Sequence, residues 1–173
     1  PIARAAGGDY DVRRAFPYSG YETYKFDVIG ASNGDVYDRY ITRVAEMRES
    51  VKIMKQALEG MPEGAWTADV PRVTLPEREK MKTQMEALIY HFKIVTEGFS
   101  VPAGEVYQAI EAPRGELGYY VVSNGKPNPW RYHVRPASFV NVTALEKISI
   151  GAKIADFVVL LAMFDMVMGE CDR

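Results

Sequence analysis

Apolar side chains recur along this chain in two long stripes, then in three short runs, then in one dense block. The first stripe is Val36, Tyr40, Val44, Met47, Val51, Met54 and Leu58, with steps of three and four residues. A period of about 3.5 predicts a single helix, and Gly60 and Pro62 close it. The second stripe, Met81, Met85, Leu88, Phe92 and Val95, predicts a helix from about Pro76 to Glu97, closed by Gly98. Thr74 and Glu77 offer it a capping box, or Pro76 occupies its first turn. Two helices of roughly 22 residues with matching narrow seams are expected to pack antiparallel, with the seams forming core.

The pattern changes after Pro102. "EVYQAIEA", "LGYYVVS" and "WRYHVRP" are short runs rich in Val, Tyr and Ile, separated by the turn segments "PRGE" and "NGKPNP". They predict a small antiparallel sheet. "SFVNVTALEKIS" predicts a short helix that starts at Pro136 or Ser138, and "AKIADFVVLLAMF" a last helix so apolar that burial on all sides is expected. Residues 1–34, with the turn signals "FPYSGY" and "ASNGD", read as an N-terminal loop region. Residues 35–173 then read as part of one domain. The expected class is α+β: a long antiparallel helix pair, a small antiparallel sheet and a buried C-terminal helix.

Composition narrows the function classes. The chain has 173 residues, 47% of them hydrophobic, and a net charge of -2. One domain or part of a larger one fits that length, and the charge balance gives no nucleic-acid footprint. A single cysteine excludes an internal disulfide framework and an all-cysteine zinc site. The most apolar run, Ile154 to Phe164, falls short of the roughly 18 residues of a membrane span and contains Asp156. The chain opens "PIARAAGGDYD", without Met, and is expected to be a piece of a longer polypeptide.

Candidate chemistry is sparse. His91 on the second helix and His133 on a strand stand alone, and a lone histidine is more often packed or exposed than a ligand. Asn141-Val142-Thr143 fits the glycosylation pattern, without any sign of secretion. "DYDVRR" reads as a solvated or salt-bridged loop. "EAPRGELG" carries more: Pro113 and Gly115 build a tight turn that presents Arg114, and an arginine on a rigid turn can pair with a buried carboxylate or a polar ligand.

Longer segments carry a resemblance. "GDVYDRYITRVAEMRESVKIMKQAL", "MKTQMEALIYHFKIVTEGFSVPAGEVYQAIEAPRGELGYYVVS" and "ADFVVLLAMFDMVMGECDR" resemble the C-terminal part of the 49 kDa, or D-type, subunit of NADH:quinone oxidoreductase, respiratory complex I. "RAAGGDYDVRRAFPYSGYE" is similar to that family's loop before the long helix. The likeness runs through all 173 residues in unbroken order. The family shares its fold with the large subunit of nickel-iron hydrogenases, which end in Asp-Pro-Cys-x-x-Cys, the thiolates holding metal. In that register Asp165 matches the Asp, Met166 the Pro, Val167 the first Cys and Glu170 the second, and Cys171 is one residue out of step. Nickel needs soft sulfur at both places, so the tail resembles a dismantled metal site.

The resemblance implies a quinone pocket where the metal site would be, walled by Arg114, Asp165, Val167 and Met168. Arg114 would correspond to the arginine that hangs over the hydrogenase metals, and some family members carry Lys there. The family's quinone-contacting Tyr and His lie upstream of this chain, so no catalytic residue, no metal and no bound cofactor are assigned to it. Quinone would be substrate, and the iron-sulfur clusters and FMN would sit in neighbouring subunits. The partners implied are the cluster-bearing quinone-module subunit, a 30 kDa-type subunit and a proton-pumping membrane arm. The location implied is the inner membrane's periphery, on the cytoplasmic side in bacteria or the matrix side in mitochondria. An isolated chain is expected to be inactive. Two other readings stay open: the large subunit of a membrane-bound hydrogenase or formate hydrogenlyase, and an assembly module without quinone contact.

Overall fold

Asp35 begins the longest element. Its side chain accepts from the Asp38 amide at 2.7 Å, a side-chain cap on the free amides of a helix start, and α3 then runs Val36–Glu59 to Gly60. In this computed structural model, which describes residues 2–68, 70 and 72–172, three short helical turns precede it: α1 (Ile2–Ala5), α2 (Val12–Ala15) and a 3-10 turn, Tyr21–Thr23. After it come α4 (Arg78–Thr83), α5 (Met85–Thr96), strands β1 (Gly104–Ala112), β2 (Gly115–Ser123) and β3 (Arg131–Arg135), then α6 (Ala137–Ile148), α7 (Ile154–Phe164) and α8 (Met168–Cys171). The strands form one antiparallel sheet in the order β1-β2-β3. The α+β class and the three strands agree with the expectation.

The chain divides into two compact units. The first draws on residues 1–61, 108–119 and 134–173, the second on residues 62–107 and 120–133.

In the first unit, α3 packs against α1 and α7, and α6 against α7 and α8. The face of α3 that is most buried is polar. Arg39 and Thr42 are buried on it, and Arg43 and Glu46 are half-buried beside them. They are spaced three, one and three residues apart, as one helix face requires. The apolar stripe lies elsewhere: Val36 and Val44 are half-buried, but Tyr40, Met47, Val51, Met54 and Leu58 are exposed. The expected burial of this seam is therefore not present.

Charge pairing satisfies part of this face, at Arg43 and Glu46, whereas the buried Nε of Arg39 has no hydrogen-bond partner. Arg4 is buried and meets Glu46 at 2.7 Å, Glu111 at 2.6 Å and Asp11 at 3.2 Å. Burial pulls its pKa down, but Glu111, Glu46 and Asp11 outweigh that and hold it above its ordinary value. Asp11 caps α2 and takes a two-point contact from Arg13, at 3.0 and 2.7 Å. The "DYDVRR" loop thus takes the salt-bridged alternative. Arg13 and Arg14 also stack on the buried Phe26 ring, 4.6 and 4.7 Å from its centroid.

At the other end of this unit α7 supplies the largest apolar anchors. Leu160 and Phe164 are 0% and 1% exposed. Its other side is open, with Ile154, Phe157, Val158 and Val159 all exposed. Burial of this helix, which packs against α3 and α6, is one-sided, not complete as its composition suggests: Leu160 and Phe164 are its fully buried residues.

In the second unit the expected single helix from Pro76 to Glu97 is two. It breaks at Gln84, whose φ of -124° and ψ of 122° are extended. No Gly or Pro marks the break. There is no capping box either: the Thr74 hydroxyl donates to the Ala68 carbonyl at 3.0 Å, Pro76 lies outside the helix, and α4 starts after Glu77 without a side-chain cap. Gly98, at φ +76°, closes α5 in the left-handed conformation that glycine adopts without steric cost. The α5 seam residues Met85, Leu88, Phe92 and Val95 are exposed, so this second seam is not core as expected.

Two outcomes follow. Leu160→Ala should lower the chain's unfolding free energy by about 2–5 kcal/mol, and Val158→Ala by no more than about 0.5 kcal/mol, as read by denaturant titration. Asp11 is pushed up by burial, but its bonds and charge contacts with Arg13 and Arg4 outweigh this and hold its carboxyl below the usual range. A depressed carboxylate contributes stability that is full above its ordinary value of about 4 and is lost as pH falls through its lower folded value. Asp11→Asn should therefore be less stable near neutrality and lose less stability on acidification, measured as unfolding midpoints from about pH 6 to about pH 3.

Candidate functional site

The β1–β2 hairpin turns on two residues, Pro113 and Arg114, and re-enters β2 at Gly115. Gly115 has φ +133°, and a Cβ there would lie 3.6 Å from the Ala137 Cβ. A side chain at this position would strain the turn, while its Cβ would make only ordinary contact with α6. The Asn141 amide of α6 donates to the Arg114 carbonyl at 3.0 Å. The nitrogen that the glycosylation pattern singled out is thus spent on fixing this turn.

The tail folds back to meet the turn. Asp165 ends α7 in the left-handed region, φ 49° and ψ 47°, a conformation that Asp tolerates better than most residues. Arg114 Nε donates to the Asp165 carbonyl at 2.5 Å, and its Nη2 lies 3.3 Å from Asp165 Oδ2. A second arginine joins from α3: Arg43 Nη2 is 2.8 Å from the same Oδ2, and its Nη1 donates to the Pro113 carbonyl at 3.1 Å. Glu170, on α8, accepts from the Ala137 amide at 3.1 Å and from the Ser138 hydroxyl. It sits at the start of α6, where the helix dipole favours an anion, and is 3.9 Å from Arg114 Nε. Two guanidinium groups and two carboxylates thus tie turn, α3, α6 and tail together.

The structure brings Arg114 and Asp165 together as a pair. Val167 and Met168 follow on the same tail but are 42% and 83% exposed, so the chain does not enclose them. Sequence reading missed Arg43 and Glu170. Arg43 had no signal beyond its place on the polar side of α3, and Glu170 was seen only as the register position of a lost ligand. A cavity of about 360 Å³ is lined by Arg43 and Pro113 together with Arg4, Arg13, Glu46 and Glu111, and by neither Arg114 nor Asp165.

Other candidates stay apart. His133 is exposed on β3, and His91 on α5 has a buried Nδ1 without a hydrogen-bond partner. Cys171 is a half-exposed free thiol. Among the described residues no three His, Cys, Asp or Glu side chains gather as a metal-binding group, and no helix is long and apolar enough to cross a membrane.

Known proteins share the whole stretch that carries this arrangement. The chain is 58% identical over 173 residues to the D-type subunit, numbered 2, of the NADH-quinone oxidoreductase of Koribacter versatilis, which is all of this chain and 43% of that protein. It is 58% identical over 173 residues to the D-type subunit, numbered 1, of the same oxidoreductase in Solibacter usitatus, covering 42% of it. With the NADH-quinone oxidoreductase subunit 4 of Thermus thermophilus it shares 54% identity over 170 residues, 98% of this chain and 42% of the relative. The chain thus spans less than half the length of these curated relatives. The family model described as respiratory-chain NADH dehydrogenase, 49 Kd subunit, matches residues 1–173, and the chain belongs to that family.

Proposed function

We propose that this chain is part of the quinone-module subunit of a proton-translocating NADH:quinone oxidoreductase, and that its turn and tail form one wall of the quinone-reduction pocket beside the terminal iron-sulfur cluster. The observation that carries the pocket reading is the Arg114–Asp165 pair, held at the surface of the chain with Val167 and Met168 alongside. A charged pair can orient the polar head group, and the exposed apolar residues suit a ring and an isoprenoid chain. The names of the relatives support the oxidoreductase assignment. In this reading electrons arrive from NADH through neighbouring subunits that hold FMN and the clusters, and this chain holds no redox group. Quinone takes up two electrons and two protons. The chain's part is to bind and orient it and to keep the wall of the pocket in place.

Exposed apolar residues on α3, α5 and α7 fit a polypeptide that completes its packing against other protein. The partners in this reading are the cluster-bearing quinone-module subunit, a 30 kDa-type subunit and the membrane arm. The complex would lie against the inner membrane, with this subunit at its periphery. The hydrogenase alternative lacks its donor set, because Val167 has no lone pair to offer nickel and Cys171 is the only thiol.

Val167→Met should test the pocket wall directly. Added bulk in a filled site costs about 1–3 kcal/mol, roughly a 5- to 150-fold loss of affinity. The expected result in the assembled complex is a raised quinone KM and altered inhibitor response, with NADH oxidation by an artificial upstream acceptor little changed. Asp165→Asn and Arg114→Ala should act in the same direction, and Arg114→Lys more mildly. Activity lost only in proportion to subunit content, with KM and inhibitor response unchanged, would leave the assembly-module reading in its place. Cys171→Ser, by contrast, should keep quinone reductase activity within about twofold, and a tenfold loss would show that the thiol belongs to the pocket.

A further inference from the structure

Asp165 is one carboxylate with two guanidinium partners, and the two are not equivalent. Arg114 makes its shorter contact with the Asp165 main chain, at 2.5 Å, and stands 3.3 Å from the carboxylate. Arg43 makes the shorter contact with the carboxylate itself, 2.8 Å, and spends another nitrogen on the Pro113 carbonyl at 3.1 Å. Its side chain is 18% exposed against 43% for Asp165. Arg43 therefore stands on a long helix, largely out of solvent, and holds at once the turn that carries Arg114 and the carboxylate that faces outward.

We propose that Arg43 is the positioning residue for Asp165, fixing the direction of its carboxylate and the spacing of turn and tail. Asp165 lies just beyond the last residue of α7, in a left-handed conformation, so its own helix does not fix its side chain. The planar guanidinium suits the task because two separate N–H groups point at two different acceptors, which a lysine ammonium on a flexible stem reproduces only in part. The proposal deepens the reading of the tail as a quinone-pocket wall and rests on it for the effect on quinone. The coupling between Arg43 and Asp165 stands apart from that reading.

The experiment uses the assembled oxidoreductase carrying the full-length subunit, with Arg43→Gln, Arg43→Lys, Asp165→Asn and the double variant Arg43→Gln/Asp165→Asn. Amide hydrogen exchange over residues 164–172 reads the tail. Arg43→Gln should speed exchange there as Asp165→Asn does, and the double variant should exchange no faster than the faster single. Quinone KM, normalised to the upstream acceptor rate, reads the site. Arg43→Gln should raise it about five- to tenfold, Arg43→Lys less, and Arg43→Gln should add little in the Asp165→Asn background. Unchanged tail exchange in Arg43→Gln, or effects that multiply in the double variant, would overturn the proposal. Should tail exchange respond as expected while Asp165→Asn leaves KM and inhibitor response untouched, the positioning role stands and the pocket-wall reading fails. If Arg43→Gln does not assemble, Arg43→Lys gives the same two readouts at smaller amplitude, and their absence there counts equally against the proposal.

Discussion

Arg4 cannot be buried alone. Removing a guanidinium from water costs several kcal/mol unless carboxylates with good geometry replace the solvent. Here Asp11, Glu46 and Glu111 do so, from the entrance of α2, the middle of α3 and the end of β1. Because the three anions come from distant parts of the chain, satisfying one cation fixes where three elements lie. The first unit is organised around that constraint more than around apolar bulk. Its buried apolar residues on the N-terminal side are small or few, namely Ala5, Val12 and Phe26.

The same logic recurs at the tail. Arg43 lies three residues before Glu46 on α3, so the helix face that answers Arg4 also reaches Asp165. Asp165, Arg43, Arg114 and Glu170 balance two positive charges against two negative ones. Exposure of Asp165 leaves this pairing weaker than the one around Arg4, since a charge in contact with water gains less from a partner. A strong cluster at depth and a weaker one at the surface are thus joined through one rigid helix. The surface cluster is the one that solvent reaches.

Much of the fold was legible because local chemistry wrote it. Gly60 ends α3, the Pro113–Gly115 turn sets the hairpin, and Val- and Tyr-rich runs became strands within a residue or two of expectation. The Arg114–Asp165 pair was legible only through family resemblance, since nothing local links residues so far apart in the chain. What misled was hydrophobicity. The stripe on α3 was expected to be core, yet the most buried face carries Arg39, Thr42, Arg43 and Glu46. Pattern reading assumes that polar groups stay in water, and it fails at Arg43 and Glu46, where ions from other elements replace that water. The break at Gln84 was invisible for a different reason, as no Gly or Pro lies near it.

The sequence alone determined the strand and helix types, the turn that presents Arg114, and the absence of a thiolate at the Val167 position. Those properties depend on neighbours within a few residues or on the identity of one side chain. Tertiary structure decided which face of α3 is buried, which side of α7 is open, and that Arg43 and Glu170 complete the group around Arg114 and Asp165. Each of those is a meeting of charges or surfaces from distant segments. Its free energy depends on distance and desolvation, which exist only once the chain is folded.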